Sequence, residues 1–138
     1  MRIGRQSGGA EHRHANKPHD QEDGAGTRAE HEAPERCSQA FTVAALAAAS
    51  GVEVSLWLTG ESAWFALPGR AAEFVLPEAA ALPDLLDAVL AAGRVTLCTQ
   101  CAARRSIAAS DVIDGVRLAG AQAFLEEALA DGTQALVY

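Results

Sequence analysis

The groups best suited to chemistry in this chain are two cysteines in the run Arg94-Val95-Thr96-Leu97-Cys98-Thr99-Gln100-Cys101-Ala102-Ala103-Arg104-Arg105-Ser106-Ile107. Val95 to Leu97 is β-prone and Ala102 to Arg105 are good helix formers, so Cys98 is predicted where a strand ends and a helix begins. Open α/β sheets gather their ligands at that edge. Free N–H groups and the helix dipole there favour an anion, hence a thiolate over a thiol. Arg104 and Arg105 add positive charge nearby and are candidate substrate contacts. The plain alternative is a buried, inert Cys98, since free cysteine is among the most buried residue types.

The spacing Cys98-Thr99-Gln100-Cys101 admits three chemistries. The pair can cycle between dithiol and disulfide, as C-x-x-C does at a helix start. It can supply half of a structural zinc site, which needs four protein ligands. No second C-x-x-C is present, and His12, His14, His19 and His31 all lie near the amino terminus, so no metal is expected. Alternatively Cys98 is a single working thiolate, with Cys101 a bystander or a resolving partner.

The elements that must position these groups follow from hydrophobic patterning. At 138 residues and 49% hydrophobic content, the chain is long and apolar enough for one globular domain. A net charge of −7, without a dense basic stripe, argues against general nucleic-acid binding. No apolar run is long enough to span a bilayer, and no signal-peptide pattern opens the chain. Three cysteines suit a reducing compartment, so a cytoplasmic location is expected. No Gly-rich phosphate fingerprint follows any strand, and no cofactor is expected.

Residues 1–33 hold all four histidines and no apolar run, and are expected to be a disordered tail. Glu35 to Ser50 reads as a helix with Pro34 in its first turn, Gly51 at C′, and Phe41, Ala44, Ala45 and Ala48 on one face. Val52 to Leu58 is predicted as a strand. After it, Ser62 or Glu61 is a candidate substrate contact, although a cap formed by Thr59 or Ser62 is the simpler reading. Ala63 to Leu67 is predicted as a short helix with Trp64 and Phe65, and Arg70 to Ala81 as a loop near the site. Leu82 to Ala92 is an amphipathic helix facing the sheet with Leu82, Leu85, Leu86, Val89 and Leu90. Ser110 is expected to cap a short turn, Gly115 to Leu118 to form a strand, and Ala121 to Ala130 a helix with Phe124, Leu125, Ala128 and Leu129 inward. Gln134 to Tyr138 is predicted as the last strand. Cys37 is expected to be a packing residue, and Trp57 and Trp64 core or subunit contacts. Alternating strands and helices argue a parallel sheet with right-handed crossovers.

Cys98, then Arg104-Arg105-Ser106-Ile107, Ser110-Asp111, Gly115-Val116 and the terminal Ala135-Leu136-Val137-Tyr138, in that order and spacing, resemble the DsrE/DsrF-like sulfur-relay family. The Ala-rich helix and the strand ending Trp57-Leu58-Thr59-Gly60 belong to the same likeness, which covers about residues 34–138 as one domain. The resemblance implies a three-layer flavodoxin-like parallel sheet with helices on both faces, assembly into trimers or hexamers, and, in some members, persulfide sulfur carried on a cysteine that falls at Cys98. It implies sulfur donor and acceptor proteins as partners. Ser106 stands where the family usually has Gly. The family also implies a strand before the first helix, and no apolar run offers one, so residues 1–33 are read as a mis-assigned start, a shifted reading frame, or the replacement of a lost first strand. The expected function is therefore a sulfur relay through Cys98. The alternatives are a thiol–disulfide oxidoreductase using Cys98 and Cys101, or a non-enzymatic oligomeric binding module.

Overall fold

The computed structural model describes residues 23–138. The elements run α1 (Asp23–Ala49), β1 (Ser55–Leu58), two 3₁₀ helices (Gly60–Ala66 and Arg70–Glu73), α2 (Leu82–Ala92), β2 (Arg94–Cys98), α3 (Thr99–Arg104), a 3₁₀ turn (Ala109–Asp111), β3 (Val116–Ala119) and α4 (Ala121–Ala128). The sheet is three-stranded and fully parallel in the order β1-β2-β3. This is the α/β layering expected, with helices on both faces of a parallel sheet.

Two patterns of side-chain alternation give the sheet unlike faces. Leu56 and Leu58, Val95 and Leu97, and Val116 and Leu118 lie in register on one face. They join a core with Phe41, Ala44 and Ala45 of α1 and Leu82, Leu86 and Val89 of α2. The small alanines of α1 let that helix approach closely, and α1 and α2 pack on each other. Gly51, at φ +78°, ends α1 as the sequence predicts: its N–H bonds to Ala48 and that of Val52 to Ala47, both 3.0 Å. Gly93 serves a close approach instead. A Cβ on it would lie 2.9 Å from the carbonyl oxygen of Val54, just where Arg94 donates its N–H to that oxygen at 2.8 Å to open β2.

The opposite face carries Ser55 and Trp57 of β1, Arg94 and Thr96 of β2, and Arg117 of β3, with α4 over them. Glu127 of α4 ties the three strands together. Its carboxylate accepts hydrogen bonds from Ser55 Oγ (2.7 Å), Trp57 Nε1 (3.0 Å), Arg94 (3.1 Å) and Arg117. Arg117 also donates from Nε to Thr96 Oγ1 at 2.7 Å, which satisfies the buried hydroxyl. Burial works against the Glu127 charge, but the hydrogen bonds of Ser55, Trp57 and Arg117 and the Arg117 charge outweigh it and hold the carboxyl down at about 2.

Several expectations are corrected here. The first helix begins at Asp23 rather than near Glu35, with Pro34 inside it. Ala29, Glu30, Glu32 and Ala33 are good helix formers, and extending a packed helix backwards past one lost hydrogen bond needs no new nucleus. The tail expected over 1–33 is thus helical from Asp23, and residues 1–22 lie outside the described residues. β1 is shorter than expected, beginning at Ser55. Gln134 to Tyr138 forms no strand. After α4 the chain pairs with neither edge of the sheet, and Leu136 and Val137 are left 65% and 88% exposed. On α4, Phe124 lies edge-on to Trp57 at 5.4 Å while still 39% exposed, and Glu127 reaches the strands. Leu125 and Leu129 are instead 55% and 74% exposed, because the Glu127 bonds fix the helix's rotation. Asp111, not Ser110, caps the short turn, accepting the Ala108 N–H at 2.8 Å.

Two predictions follow from this packing. Gly93→Ala should lower stability by roughly 1–3 kcal/mol, the range for forced overpacking, as measured by urea denaturation. Glu127 has a native pKa of about 2, against ~4.3 for an unfolded glutamate. Its contribution is therefore complete above about pH 4.3 and is lost as pH falls toward 2. Glu127→Gln should flatten the fall in urea midpoint between pH 5 and 2 seen in the parent protein; an equally steep fall in the variant would contradict the assignment.

Candidate functional site

Parallel pairing brings the carboxyl ends of all three strands to one edge, and Cys98 ends the middle one. In register it lies beside Ala119, the last residue of β3, while the loop Thr59-Gly60-Glu61-Ser62 leaves β1 on the other side. Gly120 completes the edge, with its α-carbon close to Thr99 (a Cβ there would lie 3.5 Å from the Thr99 hydroxyl). Cys98 is the N-cap of α3, at φ −63° and ψ 123°, as the strand-to-helix reading predicts.

Cys98 is half-buried against the core, and all three cysteines are free thiols. No N–H completes a formal cap hydrogen bond to its sulfur. Burial raises its pKa, but the backbone N–H of Cys101, the Cys101 thiol, the backbone N–H of Gln100 and the charge of Arg104 together lower it below the ordinary thiol value. The helix dipole expected to do this work is small, because α3 has only six residues. Local donors and one cation carry the effect. Cys37 is the contrast: burial alone pushes its thiol up to about 11, which suits the packing role expected of it.

Cys101 lies in the first turn of α3 and is 7% exposed. Its sulfur accepts the backbone N–H of Gly60 at 3.2 Å. Gly60 sits at φ +53°, a conformation that glycine adopts freely and that sets the direction of this N–H. The two charged residues nominated from the sequence part company. Arg105 folds back to donate to the Cys101 carbonyl at 3.2 Å and to Glu61 Oε1 at 2.5 Å, with its guanidinium 5.9 Å from the centre of the Trp64 ring. Its donors are engaged in holding the loop after β1 against α3. Arg104 is exposed and forms no ion pair with any described residue, leaving its charge to act on Cys98. Glu61, fully exposed, is held below the usual carboxylate range by the Arg105 hydrogen bond and charge.

Ser62 caps the turn that follows β1. Its hydroxyl donates to the Thr59 carbonyl at 2.7 Å and accepts the Thr59 N–H at 2.9 Å. The segment after Pro68, expected as a loop near the site, forms a 3₁₀ turn from Arg70 to Glu73. Arg70, Glu73 and Phe74 join Trp64 and Phe65 around a cavity of about 340 Å³. Trp64 and Phe65 are partly buried, Phe65 edge-on to Phe41 and Phe74.

Ser106 adopts φ +55°, the left-handed region that favours glycine. It is the C′ residue of a full Schellman turn: its N–H bonds to Ala103 at 3.1 Å, that of Ile107 to Ala102 at 3.0 Å, and Ile107 is buried. Gly60 and the Glu127 cluster were not singled out from the sequence. A glycine two residues beyond an apolar strand is too common a signal, and a Glu on a helix shows no sign of which strands it will meet.

Among the described residues no group of three or more His, Cys, Asp or Glu side chains stands together as a metal site, and no helix is long and apolar enough to cross a membrane. The DsrE/DsrF-like family matches residues 27–138. The chain belongs to that family, which is generally associated with sulfur relay between partner proteins. Neither the curated proteins nor the solved structures compared with the chain give a match.

An exposed cation acting through solvent is screened by salt. Arg104→Gln should therefore slow iodoacetamide alkylation of Cys98 at pH 7 at low ionic strength by about twofold and remove most of its salt dependence. Ser106→Gly should raise stability by about 0.5–1 kcal/mol by relieving the left-handed strain, read from the urea midpoint.

Proposed function

We propose that the protein is a cysteine-dependent sulfur-relay protein that carries persulfide sulfur on Cys98. The observation that carries this reading is the setting of Cys98: a half-buried thiol at the carboxyl end of the central strand, with its thiolate favoured by local donors. Membership of a sulfur-relay family supports it. The Cys98 thiolate attacks the outer sulfur of a donor protein's persulfide. A sulfur–sulfur bond forms to Cys98, the donor's own sulfur–sulfur bond breaks, and the donor cysteine leaves as a thiolate. An acceptor thiolate then takes the outer sulfur from Cys98 in the same way and restores the Cys98 thiolate. No net oxidation occurs and no cofactor is required, so the site has only to stabilise one anion and admit two partners in turn. Arg104, exposed and without an ion-pair partner among the described residues, is the residue proposed to meet the anionic persulfide.

A thiol–disulfide oxidoreductase is the second reading, favoured by the placement of Cys101 one turn after Cys98. The burial of Cys101 and its hydrogen bond to Gly60 weigh against it as a freely attacking resolving thiol. The setting proposed is the cytoplasm, and the form a homo-oligomer, a trimer or hexamer. Apolar side chains on and after α4 supply a motive for assembly: Leu129, Leu136 and Val137 are 74%, 65% and 88% exposed.

Intact-protein mass spectrometry after treatment with a persulfide donor tests the reading. The parent protein and Cys37→Ser should gain one sulfur, Cys98→Ser should gain none, and Cys101→Ser should load less completely. Loading of Cys98→Ser would refute the assignment, and an internal disulfide without added sulfur would favour the oxidoreductase.

A further inference from the structure

We propose that the cavity lined by Trp64, Phe65, Arg70, Glu73 and Phe74 is a binding site for an α-amino acid with an apolar side chain: the rings take the side chain, Arg70 the carboxylate and Glu73 the ammonium. This inference is independent of the chemistry assigned to Cys98.

The cavity, of about 340 Å³, is at the small end of the range for ligand sites and has their usual make-up, mostly apolar walls with a few polar groups. Its walls are built in advance. Ala63, Ala66 and Ala71 bury the inner sides of the two 3₁₀ helices, which pack on each other, and the Ala66 carbonyl accepts the Ile113 N–H at 2.9 Å. Phe65 is held edge-on between Phe41 and Phe74, at 5.9 and 5.7 Å. The polar groups are a pair of opposite charges. Arg70 donates to Glu73 Oε2 at 2.8 Å, and its guanidinium lies 5.6 Å from the centre of the Trp64 ring. Among the described residues neither side chain makes another hydrogen bond. A guanidinium has five N–H donors and a carboxylate two oxygens, so both keep capacity after bonding each other. An α-amino acid carries its own two charges on adjacent carbons. Set against this pair, its carboxylate accepts from the remaining Arg70 donors and its ammonium donates to Glu73 Oε1. Four charges of alternating sign then close a ring without breaking the Arg70–Glu73 bond. A simple carboxylate would meet Glu73 as a like charge, and a simple amine would meet Arg70.

The chain has two tryptophans, so its two indole N–H signals in ¹H–¹⁵N NMR report on the site and supply a control. Trp57 donates its indole N–H to Glu127, and Trp64 lines the cavity. L-Phenylalanine should shift the Trp64 signal in a saturable way and leave that of Trp57 in place. Phenylpropionate lacks the ammonium and phenethylamine lacks the carboxylate; each should bind about tenfold more weakly, the effect of one lost charge-assisted hydrogen bond. Glycine, with no side chain for the rings, should not shift the signal. Glu73→Gln should bring phenylalanine down to the affinity of phenylpropionate, and Arg70→Gln to that of phenethylamine. An unmoved Trp64 signal would overturn the proposal. So would equal affinity of the parent protein for all three aromatic probes, which would mark a purely apolar cleft, a result that needs no variant to fold.

Discussion

Arg105 joins the two loops on which the sheet edge depends. It leaves the last turn of α3, donates to the Cys101 carbonyl in the same helix, and reaches across to Glu61 in the loop after β1. As a surface ion pair with an 85% exposed glutamate, this contact would be worth little. Its weight comes from the arginine's own burial, since the guanidinium side chain is only 15% exposed and also lies over Trp64. Replacing it would take away the tie between α3 and the loop after β1, while Arg70 would still lie over the Trp64 ring at 5.6 Å. The Schellman turn at Ser106 sets the direction in which α3 ends, and so where Arg105 can reach. Gly60 and Cys101 then meet inside a frame fixed from outside by Arg105.

Beneath that edge, the sheet has solved two problems on its two faces. One face is apolar, closed by α1 and α2 with small residues at the contact. The other is a polar cluster centred on Glu127, where one carboxylate is answered by donors from three strands. Each of the four donors answers the same carboxylate, so losing one partner weakens a shared set and the cluster acts as a unit. Its consequence for function is orientation. By fixing α4 across Trp57 and Arg117, it fixes the register of three short strands of four, five and four residues, whose ends form the site. It also turns Leu125 and Leu129 outward, which leaves the apolar surface that the proposed assembly would cover.

Much of this frame was legible in the residues. The alanine face of α1, the leucines of α2 and the placement of Cys98 between a strand and a helix all follow from period and propensity, and all stand in the structure. Ser62 took the capping role that the sequence favoured. What was not legible depends on meetings between distant residues. The pairing of Arg105 with Glu61 gave no sign in the sequence, because the two lie far apart in the chain. The start of α1 was misplaced because Pro34 usually opens a helix, whereas here the helix runs through it. The final strand was expected from a β-prone ending, but a strand needs a neighbour, and residues 134–138 pair with neither edge of the sheet. The rotation of α4 was misjudged for the same reason: leucine periodicity points inward only when no charged residue on the same helix finds a better set of partners.

The proposed role of Cys98 requires the fold to favour its thiolate at the sheet edge. An ultraviolet titration of thiolate absorbance on the Cys37→Ser protein measures this directly, with Cys98→Ser, Cys37→Ser as the reference for Cys101. The difference between the two curves should place the Cys98 midpoint below the ordinary thiol value of ~8.5, and unfolding in urea should return it there. A midpoint at or above the ordinary value in the folded protein, unmoved by urea, would mean that the edge does not activate its cysteine and would contradict the account.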